Sequence, residues 1–512
     1  MRSALALRQA PGTGTSLASR VFSRTGMGDL NYSTATEQLQ RLSRGEITSA
    51  QLLERHIERV EQIDGRINAV VVRTFDAARK RAAAADAARQ RGDNWGPLHG
   101  LPMTVKESFD LPGTPTCWGF PQYRENIARQ PAVAVQRLLD AGAVLFGKTN
   151  VPVALGDWQS FNPVYGTTHN PWDLTRTPGG SSGGASAALA AGMTPLELGS
   201  DIGASIRNPA HYCGVYGHKP TWGVVPMAGH QLPGVRCIDS LDIAVAGPLA
   251  RSALDLQLAM RVLTTPLQQF GPLGWTPAQW RTSHKTPQQC RMAIVYDDAQ
   301  ARVDHGIQNG LHELADFLRA EGVTVLDDHR PVDSAQSHRV YSHLLRAATG
   351  AWLDDATYAR FQALSQASDP ALDTMRERVW RGSTLTHREW VEFDQQRAVL
   401  RQQWRTYFES VDLLITPVAT SPAFLHNQQG ERWERMLKVN GQDQPHTDSL
   451  FWAGYPGVVG LPATAIPMGQ GPDGLPVGAQ IIGDSFADPL CLQMARWLET
   501  AWRGFTPPPD FS

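Results

Sequence analysis

The chain has 512 residues, 42% apolar and 19% charged, with a formal net charge of −2. Such a composition supports a large buried core and excludes global disorder. The near-neutral balance leaves no electrostatic footprint for nucleic acid or an anionic membrane, so a small or neutral partner fits better than a polyanion. The first 28 residues carry Arg2, Arg8, Arg20 and Arg24 and no acid before Asp29. That composition is similar to a transit peptide; the preferred reading is an upstream start or a frayed extension, with Met27 as the natural beginning. Residues 1–28 are therefore expected to be a poorly ordered or dispensable extension, and 29–512 one large domain.

Globular patterning starts near Tyr32. Thr48-Ser-Ala-Gln51 reads as a capping box, with Ile47 and Leu52 as its hydrophobic staple. Leu53, Ile57, Val60 and Ile63 follow at helical spacing. A second helix, rich in alanine and charge, is predicted over about 74–90, and Gly92 is placed to end it. The run LHGLPMTVKESF at 98–109 suggests a short buried strand, followed by a helix at 132–141 and a strand at 143–148. A loop, the segment TPGGSSGG, a helix over 185–191 and a strand at 196–200 come next. Strands alternating with helices predict an α/β fold: an α/β/α sandwich with a mixed, largely parallel central sheet covered by helices on both faces. Segments near 305–320, 336–365 and 387–410 read as helices, so 300–410 is expected to be a covering or substrate-shaping layer. Strands return at 411–420, 458–468 and 475–483, closed by an amphipathic helix at 489–502.

The five cysteines, Cys117, Cys213, Cys237, Cys290 and Cys491, are scattered and form no C-x-x-C pair. They argue against a disulfide framework or a structural zinc site, and the 15 histidines show no HExxH pattern. No metal or cofactor is expected, and a reducing, cytoplasmic compartment is. No apolar run reaches the ~18 residues of a membrane span.

Three pieces carry chemistry. Asp201-Ile-Gly-Ala-Ser205 follows an apolar strand, and a sharp turn there aims successive N–H groups into one concavity. If Ser205 attacks a carbonyl, the N–H groups of Ile202, Gly203, Ala204 and Ser205 are placed to stabilise the oxyanion. Gly179-Gly-Ser181-Ser-Gly-Gly184 is a poor linker and lacks the G-K-[ST] ending of a phosphate loop; presentation of serines is a third reading. Lys106 alternates with Glu107 on a strand, and most lysines are surface residues. A buried one, however, falls by up to ~3–5 pKa units, which reaches neutrality. A neutral amine can draw a proton from one hydroxyl as that hydroxyl draws one from the next, so a relay would run from Ser205 through Ser181 to Lys106.

These motifs, PLHGLPMTVKES, GGSSGG and LELGSDIGASIRNPAHYCGVYGHKPT, with TNVPVALG, YGTTHNP and LPATAIPMG…GLPVGAQIIG, resemble the amidase signature family over about residues 32–502. The resemblance implies a Lys–Ser–Ser triad hydrolysing amides without metal: Lys106 as base, Ser181 as the bridge after a cis peptide bond, Ser205 as nucleophile. The chain departs from the family where Ala204 replaces a second glycine, and where HKPT replaces LKPT. Arg207 is read as structural, pairing with Asp201, and His218 as a packing residue. Trp118, Leu155, Trp158 and Trp452 fall in segments that flank the family's active site and are candidate pocket residues. The expectation is a monomer or homodimer that forms an acyl-enzyme from a small apolar or aryl amide, anilide or carbamate, with possible esterase activity. The alternative is the A subunit of a glutamyl-tRNA amidotransferase using glutamine as ammonia donor. That relative typically carries a stretch like SRYGLVAFASSLDQIGP where this chain has MAGHQLPGVRCIDSLDIAVAGP, which disfavours it.

Overall fold

A computed structural model describes residues 30–235, 241–264 and 285–512. The expected extension at 1–28 and Cys237 lie outside the described residues. The capping box forms as expected. The helix Ser49–Ile67 starts at Thr48, whose hydroxyl accepts from the Gln51 N–H at 3.1 Å while Gln51 Oε1 accepts from the Thr48 N–H at 3.0 Å. The alanine-rich helix runs Phe75–Gln90, with Gly92 just beyond its end in the left-handed region.

The strands are β1 (Val70–Arg73), β2 (Pro102–Lys106) and β3 (Val144–Thr149), then the short ribbon β4 (Phe161–Asn162) and β5 (Gly166–Thr167). Next come β6 (Leu196–Asp201), β7 (Tyr216–Lys219), β8 (Val245–Ala250), β9 (Arg291–Ile294), β10 (Thr324–Asp327) and β11 (Leu413–Pro417). A second ribbon, β12 (Met436–Val439) with β13 (Gln442–Pro445), precedes β14 (Ala463–Gln470) and β15 (Pro476–Ile482). Eleven of these make one sheet in the order β1-β3-β2-β6-β8-β7-β14-β15-β11-β9-β10.

The sheet is mixed, as expected, but it is not largely parallel. Six of its ten pairings are antiparallel, and parallel pairs are confined to the groups β3-β2-β6 and β11-β9-β10. The reason is visible at β14 and β15: Pro472-Asp473-Gly474 joins them through a short turn, which can connect only antiparallel neighbours.

Helices cover both faces. On β8, Ala246 and Ala250 pack with Leu256 of the helix Ala253–Leu263, whereas Leu249 packs with Ala185 and Leu189 of the helix Gly183–Ala190 and with Ile206. Alternation along a strand puts these two sets on opposite sides. The middle helices appear at His305–Ala320, Ser334–Gly350, Asp355–Ala367 and His387–Phe408, with a further helix at Met375–Ser383. Because β2 and β6 run parallel, their carboxyl ends, Lys106 and Asp201, open on the same edge, and the turns that follow gather there.

Candidate active site

Lys106 is the last residue of β2 and is fully buried. Its Nζ donates to Ser181 Oγ at 2.7 Å and to Ser200 Oγ at 2.9 Å. Burial pushes the Lys106 ammonium down to about 7, with Asp201, Glu197 and Glu107 opposing the shift. Near neutral pH this amine is therefore poised between its two forms. Glu107 turns away, as alternation requires, and its carboxylate accepts the N–H groups of Cys117 and Trp118 at 2.7 and 3.1 Å. Glu197, one strand across, is buried, and neither carboxyl oxygen has a hydrogen-bond partner among the described residues. Burial pushes it up to about 8, while the charge of Lys106 pulls the other way. At pH 7 it is mostly a neutral acid and places little charge beside Lys106.

Ser181 follows a cis Gly180–Ser181 peptide bond. The glycine before it is a spatial necessity: a Cβ at Gly180 would sit 2.3 Å from the Asp157 carbonyl oxygen. The two serine turns are joined directly, the Ser182 N–H donating to the Ser205 carbonyl at 3.1 Å.

The turn 202–205 is held by its carbonyls. Ile202 O accepts from the Tyr341 hydroxyl at 3.0 Å, and Gly203 O from Trp158 Nε1 at 2.7 Å. Ala204 O accepts from the Asn208 N–H at 2.7 Å, and Ser205 O from Ser182. With every carbonyl fixed from behind, the N–H groups are aimed by a rigid frame instead of by solvent. Among the described residues, the N–H groups of Ile202, Gly203 and Ser205 have no acceptor, but that of Ala204 does: it donates to Asp201 Oδ1 at 2.9 Å. Ala204 therefore drops out of the expected oxyanion donor set. Its φ of +64° is the left-handed region where an L-residue is strained.

The first link of the relay is closed and the second is open. Ser205 Oγ makes no hydrogen bond to a described residue, a looseness common where catalytic contacts tighten only around substrate.

The expected Arg207–Asp201 pair is present, with contacts of 2.8 and 3.0 Å, both groups fully buried. Arg207 also reaches the Ala453 carbonyl and Gln480, which anchors the turn to β15. Burial pushes the Asp201 carboxyl up, but Arg207 more than offsets this and holds it below its ordinary range. His218 lies between Thr464 and Asp488, at 2.8 and 3.2 Å, as a packing residue.

Of the four candidate pocket residues, Trp452 is a core residue: it is fully buried and its Nε1 donates to the Ala301 carbonyl at 3.1 Å. Trp158, 6% exposed, spends its polar edge on Gly203 and so positions the turn. Trp118 and Leu155 are half-buried in left-handed conformations, with the Trp118 ring 5.1 Å from His230. Sequence reasoning missed Ser200 and Tyr341. Ser200 sat in plain view beside Asp201, whereas Tyr341 is 139 residues from Ile202 and carries no local signal.

A profile of the Amidase family matches residues 51–492. The chain belongs to the amidase signature family. It is 31% identical to an indoleacetamide hydrolase of Bradyrhizobium diazoefficiens, over 91% of this chain and 86% of that one. It is 30% identical to the A subunit of the glutamyl-tRNA(Gln) amidotransferase from a Synechococcus strain, over 94% and 98% of the two chains. A crystallised amidase shares 29% identity and superposes with a TM-score of 0.73, covering 91% of this chain and 99% of its own. This amidase chain thus has relatives that act on amides across almost its whole length. Among its described residues no helix is long and apolar enough to cross a membrane.

Proposed function

We propose that the protein cleaves C–N bonds of small non-peptide amides through an acyl-enzyme on Ser205, with Ser181 as proton bridge and Lys106 as base. The observation that carries this reading is the 2.7 Å contact between a fully buried, neutralisable Lys106 and Ser181 Oγ, with the Ser205 turn bonded to its neighbour. In the first step Ser205 Oγ bonds to the substrate carbonyl carbon, its proton passes to Ser181, and that of Ser181 passes to Lys106. The oxyanion lies against the N–H groups of Ile202, Gly203 and Ser205. Collapse breaks the C–N bond, and Ser181 delivers a proton to the leaving amine while Lys106 returns one to Ser181. Water then attacks the acyl-enzyme by the same path, releasing the acid and restoring Ser205. None of these steps calls for a metal or cofactor.

The preferred substrates are apolar or aryl amides, anilides or carbamates, with esters a side activity, a reading supported by half-buried Leu450, which packs with Trp158 and Ala204 beside the turn. We place the enzyme in a reducing compartment such as the cytoplasm, consistent with the four described cysteines being free and buried. The similarity to an amidotransferase component supports a second reading, in which glutamine donates ammonia to a partner-bound acceptor.

A panel of anilides, primary amides, carbamates, esters and glutamine, assayed with the purified chain alone, separates the two. Hydrolysis of anilides or amides that is lost in Ser205→Ala supports the first reading; turnover of glutamine alone, stimulated by partner proteins, supports the second.

A further inference from the structure

Tyr341 and Trp158 hold the first two carbonyls of the oxyanion turn, and the group that holds Trp158 lies far along the chain. Trp158 belongs to the segment Asp157-Trp158-Gln159-Ser160, which touches both serine turns. Its indole donates to the Gly203 carbonyl at 2.7 Å, and its own carbonyl accepts from the Thr177 hydroxyl at 3.2 Å. The Asp157 carbonyl oxygen fills the space that a side chain on Gly180 would need. Ser160 Oγ donates to the Gly179 carbonyl and accepts from the Gly183 N–H, both at 3.1 Å. The segment is thus a splint between the turn that carries Ser181 and the turn that carries Ser205.

Residues 427–446 grip this splint from outside. Gln159 Nε2 donates to the Asn427 carbonyl at 2.6 Å, and the Asn427 N–H returns a bond to Gln159 Oε1 at 2.9 Å. Arg435 reaches Trp158 by two routes. Its Nη1 lies 2.6 Å from Asp157 Oδ2, on the residue next to Trp158 in the chain. Its carbonyl accepts from the His446 N–H at 2.9 Å, and the His446 ring packs 5.7 Å from the Trp158 ring. Arg435 and His446 directly flank the ribbon β12–β13, so the open end of that ribbon closes on the indole. Nε and Nη2 of the same guanidinium donate to the Gln429 and Gly430 carbonyls, each at 3.1 Å, which fixes its plane.

Both side chains of the Asp157–Arg435 pair are only 6% exposed. A buried ion pair adds little net stability, since desolvation offsets its attraction, and its best-attested use is to select one arrangement among alternatives. Only one carboxylate oxygen is engaged here: Asp157 Oδ1 is enclosed and has no hydrogen-bond partner among the described residues. A pair shaped for strength would use both oxygens in a fork. What this pair fixes is position, one peptide away from the indole that aims the oxyanion donors.

We infer that Arg435 is a positioning residue for amide hydrolysis, holding the oxyanion turn through Asp157, His446 and the Trp158 indole. This rests on the amidase reading and adds to it a support outside the glycine-rich motifs.

The test compares Arg435→Gln, Arg435→Lys, Trp158→Phe and the double variant Arg435→Gln/Trp158→Phe with the parent chain. Each is assayed on one anilide and on the matching trifluoromethyl ketone, which forms a tetrahedral adduct with the nucleophile. Arg435→Gln is expected to lower kcat by about tenfold or more with KM within about threefold, because displaced oxyanion donors weaken the transition state and not the ground state. The inhibition constant of the ketone should rise by the same factor. Trp158→Phe keeps the ring and loses the N–H, so it should lose at least as much. The double variant should lose no more than Trp158→Phe alone, since both changes act through one contact. Arg435→Lys keeps the charge but not the planar fork; it should lose at least about threefold in kcat, and it carries the comparison if Arg435→Gln does not fold. A folded Arg435→Gln protein with kcat within threefold of the parent, or Arg435→Lys so where the glutamine variant does not fold, would overturn the assignment. So would a loss confined to KM, or losses that multiply in the double variant. Failure of the amidase reading looks different: no anilide turns over in the parent chain and a fluorophosphonate does not label Ser205.

Discussion

Two lysines in this sheet are nearly identical by environment and opposite by surroundings. Lys106 ends β2 and Lys219 ends β7; both are buried, and burial pushes each down to about 7. Both also feel the carboxylate of Asp201. Among the described residues, however, Lys219 Nζ donates only to the Pro220 carbonyl at 3.0 Å, an acceptor with no proton to give. Lys106 meets two hydroxyls, of which Ser181 sits on the turn bonded to the nucleophile's own backbone. A depressed pKa makes a lysine able to act as a base; a hydroxyl within reach gives it something to deprotonate.

The largest effect expected follows from that contrast. Lys106→Met should cut kcat/KM for any amide substrate by about 10⁴-fold, whereas Lys219→Met should leave it within about threefold. Steady-state kinetics on both variants checks this, and equal losses would erase the distinction. In stability linkage the two lysines act alike. The Lys106 pKa in the fold lies below its value of 10.5 in the unfolded chain, so the unfolded state binds more protons between about pH 7 and 10 and stability rises with pH across that window. Lys106→Met should flatten this rise in denaturant titrations.

The next effect is smaller and concerns Ala204. Since its φ of +64° favours glycine, Ala204→Gly should stabilise the protein by about 1 kcal/mol in chemical denaturation. Because glycine keeps the N–H that serves Asp201, kcat should change by less than about threefold.

The legibility of the chain divides along the same physical lines. The placement of Lys106 beside Ser181, the joining of the two serine turns and the Arg207–Asp201 pair follow from local pattern, because each residue sits in a glycine-rich turn or an apolar strand that constrains it. The capping box at Thr48 was readable for the same reason. Tyr341 was not, since its role is set by the docking of a helix far along the chain onto Ile202. Trp452 resembled a pocket wall by position, yet its indole found an acceptor in the core at Ala301. The sheet's antiparallel centre was missed because alternating elements suggest crossovers, and only the Pro472-Asp473-Gly474 turn signals a hairpin. Ser200 shows a subtler gap: a hydroxyl next to a motif reads as neutral until a lysine is found 2.9 Å away.

The central claim is that a buried, neutral Lys106 activates Ser205 through Ser181. Its most direct measurement is the rate of covalent labelling by a fluorophosphonate across pH 5–9, with the adduct located by peptide mass spectrometry. The account predicts one adduct, on Ser205, formed at a rate that rises with pH through about 7 and disappears in Ser205→Ala. An adduct on another residue, or a Ser205 labelling rate that is the same in Lys106→Met as in the parent chain, would contradict it.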